Sequence, residues 1–137
     1  MILVDSCVLI DVLVNDTRWV DWSQRQLDAA SLAHPLIINP VIYAELSVRF
    51  DRIEDTNKML DSARISLKEI PREALFLAGK AFQSYRKRGG TRTGTLPDFF
   101  IGAHAAVLGM PLLTRDTARY EAYFPGIELI SPDESRS

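Results

Sequence analysis

Short, unbroken apolar runs alternate along this chain with longer stretches in which apolar residues recur every three to four positions. Ile2-Leu3-Val4, Leu36-Ile37-Ile38 and Leu112-Leu113 after Pro111 leave no polar side chain to face water, and each halts at a polar turn or cap signal. Such runs read as strands buried on both faces. Ile127 to Ile130 reads as a last strand. Helices are predicted over 7–14 (apolar nearly all round, hence deeply packed), about 18–32, Pro40 to about Phe50, 52–64, 72–88 and Thr95 to Leu108. In the second, Val20, Leu27 and Ala30 share a face beside Trp19 and Trp22; in the fifth, Leu75, Ala78, Phe82 and Tyr85 do. Leu67 to Ile70 reads as a short extended link closed by Pro71, and a short helix is expected after Asp116.

The punctuation agrees with this pattern. Asn15-Asp16-Thr17 is a turn and cap signal, Pro35 ends a helix, and Pro40 suits the first turn of the next. Gly89, Gly90 and Gly94 interrupt residues 89–95, which are expected to form a mobile loop, and Gly109 stops the helix before the third strand. No internal repeat is present. Strands alternating with helices imply an α/β fold: a short central parallel sheet in three layers, with helices on both faces. In such sheets ligands bind outside the carboxyl ends of the strands.

Composition narrows the class. With 137 residues, 47% hydrophobic and 25% charged, the chain is an ordinary globular domain, expected over 1–130, with a polar, frayed tail at 131–137. The apolar runs are far shorter than a membrane span, and residues 1–4 lead into Asp5 without a basic leader, so a cytoplasmic protein is expected. The lone Cys7 has no internal disulfide partner, which agrees with a reducing compartment. A net charge of −2 does not advertise nucleic-acid binding. Arg86, Lys87, Arg88 and Arg92 form a basic cluster that reads first as a solvated helix end, where cations are favourable.

Two of four candidate acids fall just where the strand-end rule points. Asp5 follows the first strand, and Asp116 follows the third after Thr114 and Arg115. Glu45 sits about 7 Å along the helix that follows the second strand, and Asp98 lies in the first turn of its own helix. Taken singly, each has a structural explanation. Asp5 and Asp116 suit N-caps, Thr95-x-x-Asp98 has capping-box spacing, and Glu45 could face solvent from a one-sided helix. Glu45 is the hardest to explain this way, because Val41, Ile42, Tyr43, Ala44, Leu46 and Val48 surround it in sequence.

Their conjunction is more telling. Two carboxylates about 5–6 Å apart at an effective dielectric near 20 repel by about 3 kcal/mol. Several such pairs approach a domain's whole stability of about 5–15 kcal/mol, so protons or a cation must relieve them. Oxygen ligands without a nearby His or Cys favour Mg²⁺ or Mn²⁺ over zinc. A carboxylate-held Mg²⁺ takes phosphate as a further ligand, which points to phosphodiester hydrolysis. A cation in the cleft also lets a net acidic protein hold a nucleic acid, with Arg115, Arg86, Arg88 and Arg92 taking flanking phosphates.

Val-Asp5-Ser6, Glu45 in Asn-Pro-Val-Ile-Tyr-Ala-Glu, Leu-Pro-Asp98-Phe-Phe-Ile-Gly-Ala-His-Ala and Leu-Thr-Arg-Asp116 together resemble the PIN-domain ribonucleases. Among these they look most like the VapC toxins of bacterial and archaeal toxin–antitoxin pairs. The likeness runs from residue 2 to about 130. It implies a Mg²⁺- or Mn²⁺-dependent endoribonuclease, an acidic quartet at Asp5, Glu45, Asp98 and Asp116, and supporting hydroxyls at Ser6 and Thr114. It also implies a homodimer and an antitoxin whose C-terminal segment lies over the site. On this reading Asp5, Asp98 and Asp116 ligate the metal directly or through water. Glu45 holds a metal water or orients the attacking one, and Ser6 and Thr114 bond a metal water or a phosphate oxygen.

Other residues are set aside. His34 suits a helix end, His104 lies nearly two turns from Asp98, and Cys7 reads as a small buried hydrophobe. Tyr43, Tyr85, Phe99 and Phe100 read as core rather than as base-stacking platforms. Three rival functions remain: a PIN nuclease of RNA processing outside any toxin pair, a receiver-like phosphoacceptor and an inactive binding module. The phosphoacceptor would call for an acidic pair after the first strand and a lysine at a later strand end, whereas Asp5 stands alone and Arg115 holds the comparable place.

Overall fold

The computed structural model describes residues 1–92 and 95–132. Thr93 and Gly94 of the expected glycine-rich loop, and residues 133–137 of the expected tail, lie outside the described residues. Five strands, β1 (Ile2–Val4), β2 (Leu36–Ile38), β3 (Ile65–Leu67), β4 (Leu112–Leu113) and β5 (Leu129–Ile130), form one sheet in the order β3-β2-β1-β4-β5. Every pairing is parallel, with Leu3 opposite Ile37 on one side and Leu112 on the other. The flanking helices are α1 (Ser6–Leu13), α2 (Val20–Ala33), α3 (Pro40–Ser47), α4 (Ile53–Ser62), α5 (Arg72–Lys87), α6 (Leu96–Leu108) and α7 (Ala118–Tyr123).

The three central strands are apolar throughout because both of their faces are covered; Leu3, Val4, Ile38, Leu112 and Leu113 are fully buried. The chain winds outward from β1 through β2 to β3, then returns to β1's other side as β4. The winding therefore reverses between β1 and β4, and the crevice at their carboxyl ends is the expected ligand position.

Two elements differ from expectation. The segment expected to be a link from Leu67 is preceded by a true strand, β3, whose entry turn is made by Arg64 at φ 58°. Only Ile65 of its three residues is buried, so this edge strand carries almost no apolar pattern. The helix expected to reach Phe50 stops at Ser47, after which Arg49 and Phe50 donate to the carbonyls three residues back, the tighter turn common at helix ends. Pro40 at the start of α3 and the left-handed Gly109 after α6 behave as expected. No helix among the described residues is long and apolar enough to cross a membrane.

One buried ion pair ties β4's exit loop to α1. Asp11, 1% exposed, accepts from Arg115 Nε at 2.7 Å and Nη2 at 2.9 Å and from Ser23 Oγ at 2.8 Å. Arg115 keeps 29% of its side-chain surface exposed and lies over the Trp19 ring. On the other side, Gly102 lets α6 approach α7, since a Cβ there would sit 2.4 Å from the Phe124 ring and 3.1 Å from that of Tyr120.

Two outcomes follow for stability. Arg115→Met strands a buried carboxylate and should cost about 3–5 kcal/mol. Asp11→Asn leaves a cation that water still reaches, so its cost should be smaller; equal losses in urea denaturation would contradict this asymmetry. Gly102→Ala should cost about 1–3 kcal/mol by overpacking despite the better helix propensity of alanine, and an unchanged melting temperature would show that the α6–α7 contact is loose.

Candidate active site

Asp5 ends the central strand at the point where the winding reverses. Its N–H extends the ladder to the Leu113 carbonyl at 2.9 Å. Its carboxylate is 6% exposed. Oδ1 accepts the Ser6 N–H at 2.8 Å, capping α1, and Oδ2 accepts the Thr114 hydroxyl at 2.9 Å and the Tyr120 phenol at 3.0 Å. Asp5 is thus both the cap of α1 and a member of the candidate site. Burial raises its carboxyl above the ordinary value; the three donors oppose this and the charge of Asp98 adds to it.

Glu45 lies half-buried on α3 and accepts the Ser6 hydroxyl at Oε1, 3.0 Å away. Burial raises its carboxyl, the Ser6 bond opposes the rise, and the charges of Asp5 and Asp98 reinforce it. Ser6 joins the two acids, giving its backbone N–H to one and its hydroxyl to the other.

Asp98 does not take part in a capping box. The Thr95 hydroxyl donates instead to the Arg92 carbonyl at 3.2 Å, and the Asp98 carboxylate accepts Arg119 Nη1 at 2.7 Å. Burial raises Asp98, Arg119 opposes it, and the charge of Asp116 adds to the rise. Asp116 is exposed and caps nothing; the N-cap position of α7 belongs to Thr117, and the Asp116 N–H donates to Thr114 Oγ1 at 3.1 Å. The four predicted acids are therefore brought into one electrostatic cluster, Asp5, Glu45 and Asp98 at its centre and Asp116 on its open side.

The basic residues separate. Arg115 is bound to Asp11 through Nε and Nη2, which turns it away from the cleft. Arg86 and Arg88 lie at the exposed end of α5, with the Arg88 guanidinium 5.4 Å from the Tyr123 ring. Arg92, also exposed, donates its backbone N–H to the Tyr85 hydroxyl at 3.2 Å. Tyr85 in turn carries the Arg119 guanidinium 5.6 Å from its ring centre. The Arg86–Arg92 region thus borders an aromatic wall of Tyr85, Phe99 and Tyr123, with Arg119 between that wall and Asp98.

Sequence reasoning missed three residues of this region. Asp11 carried a signal, since an acid in an apolar helix needs a buried partner, the logic applied to Glu45. Arg119 and Tyr120 carried none, for a short helix after a strand end does not announce which side chains turn inward. Tyr120 is 2% exposed, and burial holds its phenol well above its ordinary value, so it remains a donor to Asp5. Cys7, whose Sγ is 3.6 Å from Thr114 Oγ1, has its thiol pushed up to about 12 by burial and by Asp5, which favours the neutral thiol over the reactive thiolate. His104 is fully buried, with Asn39 Nδ2 3.2 Å from its Nδ1, and lies outside the cluster.

The cluster suits a hard cation by chemistry. All its donors are oxygens, and three of its carboxyls are raised by burial and by one another's charge. Among the described residues no three such side chains stand close enough to ligate one ion directly. Mg²⁺ keeps several of its waters and needs only one or two carboxylates in direct contact.

Comparison with known proteins bears on the same region. The chain is similar to VapBC2 from Rickettsia felis, solved bound to a DNA fragment from their promoter, with TM-score 0.72 and 18% identity over 97% of this chain and 100% of that one. It is also similar to a toxin–antitoxin complex from Klebsiella pneumoniae, with TM-score 0.71 and 21% identity over 98% and 99% of the two chains. FitAcB from Neisseria gonorrhoeae gives TM-score 0.65 and 20% identity over 94% and 96%. At these identities the likeness establishes the fold. Comparison with curated protein sequences finds no match. The family model described as PIN domain matches residues 2–125, from β1 past the end of α7 and across all four acids, and the chain belongs to the PIN domain family.

Proposed function

We propose that this protein is a Mg²⁺- or Mn²⁺-dependent endoribonuclease, the toxin of a toxin–antitoxin pair. The observation that carries the reading is the cluster itself: three carboxyls at the sheet's carboxyl edge, each raised by burial and by another's charge. A fold does not need such a cluster for stability, and a site for a divalent cation does. Membership of the PIN domain family, whose members are nucleases, supports hydrolysis of a nucleic acid. The similar toxin–antitoxin complex from Klebsiella pneumoniae supports a toxin with an antitoxin partner, and on this reading the antitoxin covers the acidic site. A homodimer and RNA as the substrate complete the reading.

A bound Mg²⁺ or Mn²⁺ supplies charge neutralisation at the phosphoryl oxygens and a water of lowered pKa. Asp5, Asp98 and Asp116 would hold the ion, directly or through its waters. Glu45, fixed by the Ser6 hydroxyl, orients the attacking water and accepts its proton. Thr114 and Tyr120 fix Oδ2 of Asp5, so that the remaining lone pairs point consistently. The exposed arginines at 86, 88 and 92 take phosphates on either side of the cut.

Asp5→Asn and Asp98→Asn should each abolish RNA cleavage while the far-ultraviolet circular dichroism stays native, and EDTA should do the same to the parent protein. Cleavage that survives all three would end this reading. The raised carboxyls also set a pH dependence. Between the ordinary carboxylate range and the raised values the native state binds more protons than the unfolded chain, so stability declines as pH rises through that window. Divalent cations compete with those protons. The gain in Tm from millimolar Mg²⁺ should therefore grow as pH increases from about 5 to about 8, whereas a gain independent of pH would place the ion elsewhere.

A further inference from the structure

The two arginines that follow β4 differ in a way that assigns them different tasks. Arg115 grips a carboxylate that is 2% exposed with two donors, and a third bond from Ser23 completes that carboxylate's shell. Arg119 holds Asp98 through Nη1 alone, and both side chains stay within reach of water, at 21% and 29% exposed. Asp98 is Arg119's one acidic partner among the described residues. The Tyr85 ring, 5.6 Å from its guanidinium, gives the planar head a second contact that is independent of the carboxylate bond.

We propose that Arg119 is the resident counter-ion of the acidic cluster: it yields Asp98 to the divalent cation and, once released, binds a phosphate of the RNA. This rests on the nuclease reading above. The argument is one of competition. A guanidinium and a divalent cation both stabilise the Asp98 carboxylate, and they share its oxygens on unfavourable terms because they repel each other. When the ion takes Asp98, the Arg119 head is left as an unneutralised cation beside the site. Its planar fork matches the two oxygens of a phosphodiester. The aromatic wall carries that head on the side where the exposed Arg86–Arg92 region lies, so the released charge continues a basic border. Arg115 cannot serve this way, because leaving Asp11 would strand a buried charge.

A structural ion pair and an exchangeable counter-ion make opposite predictions for metal binding. If Arg119 merely supported the site, its loss would weaken Mg²⁺ binding. If it competes, its loss should tighten it. In Arg119→Gln, calorimetric titration should show Mg²⁺ binding about two- to five-fold tighter, the range expected for removing one partly exposed ion pair. The same variant should have a raised KM for RNA. The dependence of log(kcat/KM) on log salt should flatten by about 0.7, as expected for losing one contact to a single-stranded phosphate. Arg119→Lys keeps the charge without the fork, so its Mg²⁺ affinity should match the parent while its KM stays raised. Unchanged or weaker Mg²⁺ binding in Arg119→Gln, or tightened binding in Arg119→Lys, would overturn the proposal even if the parent protein cleaves RNA normally. A parent protein that neither binds Mg²⁺ nor cuts RNA would instead overturn the nuclease reading and this proposal with it.

Discussion

The structure depends on keeping a carboxylate buried at the end of its central strand. Asp5 loses most of its hydration there, and three donors from three separate parts of the chain replace it: the Ser6 N–H at the start of α1, the Thr114 hydroxyl after β4 and the Tyr120 phenol on α7. Burial still outweighs them, and the carboxyl is raised. The same bonds that solvate Asp5 also determine where everything else goes. Thr114 fixes the exit of β4, and with it Asp116; Ser6 fixes Glu45; Tyr120 fixes the short helix that carries Arg119. A single desolvated charge thus organises the site around the reversal of the sheet's winding, where parallel sheets leave a crevice.

Two arginines on one short segment solve two different electrostatic problems. Asp11 is too deeply buried to remain charged without a permanent partner, and Arg115 supplies it with two donors. Asp98 is less buried and lies in the field of other acids, and Arg119 meets it with one donor. The first pair holds a loop in place. The second partly neutralises Asp98 at the edge of the acidic cluster. Treating the two as equivalent, as residue type alone suggests, would misassign both.

Much of this was legible in the sequence because burial on both faces writes itself as uninterrupted apolar runs. Ile2–Val4, Leu36–Ile38 and Leu112–Leu113 are found as strands for that reason, and the strand-end rule then leads to Asp5 and Asp116 and, one helix turn further on, to Glu45, while Asp98 came from its place in the first turn of its helix and from the resemblance. The edge strand β3 escaped because only Ile65 is buried and its entry turn uses Arg64 in place of a glycine or asparagine. The capping box read at Thr95 and Asp98 failed for a different reason. Spacing shows that two side chains can meet, but an arginine twenty-one residues further on offered Asp98 a charged partner. Arg115 looked like a phosphate ligand because nothing local reveals that Asp11, one hundred and four residues earlier, claims it. Long-range pairings of this kind follow from topology, and the pattern of apolar positions does not encode them.

The central claim is that these acids form one site for a divalent cation. Anomalous diffraction from crystals grown with Mn²⁺ tests it most directly. The account predicts a peak at the carboxyl ends of β1 and β4, bounded by Asp5, Asp98 and Asp116, with at least one of their oxygens about 2.0–2.2 Å from it. A structure in which Mn²⁺ binds only elsewhere on the surface, with Asp5 and Asp98 keeping their protein partners, would contradict it.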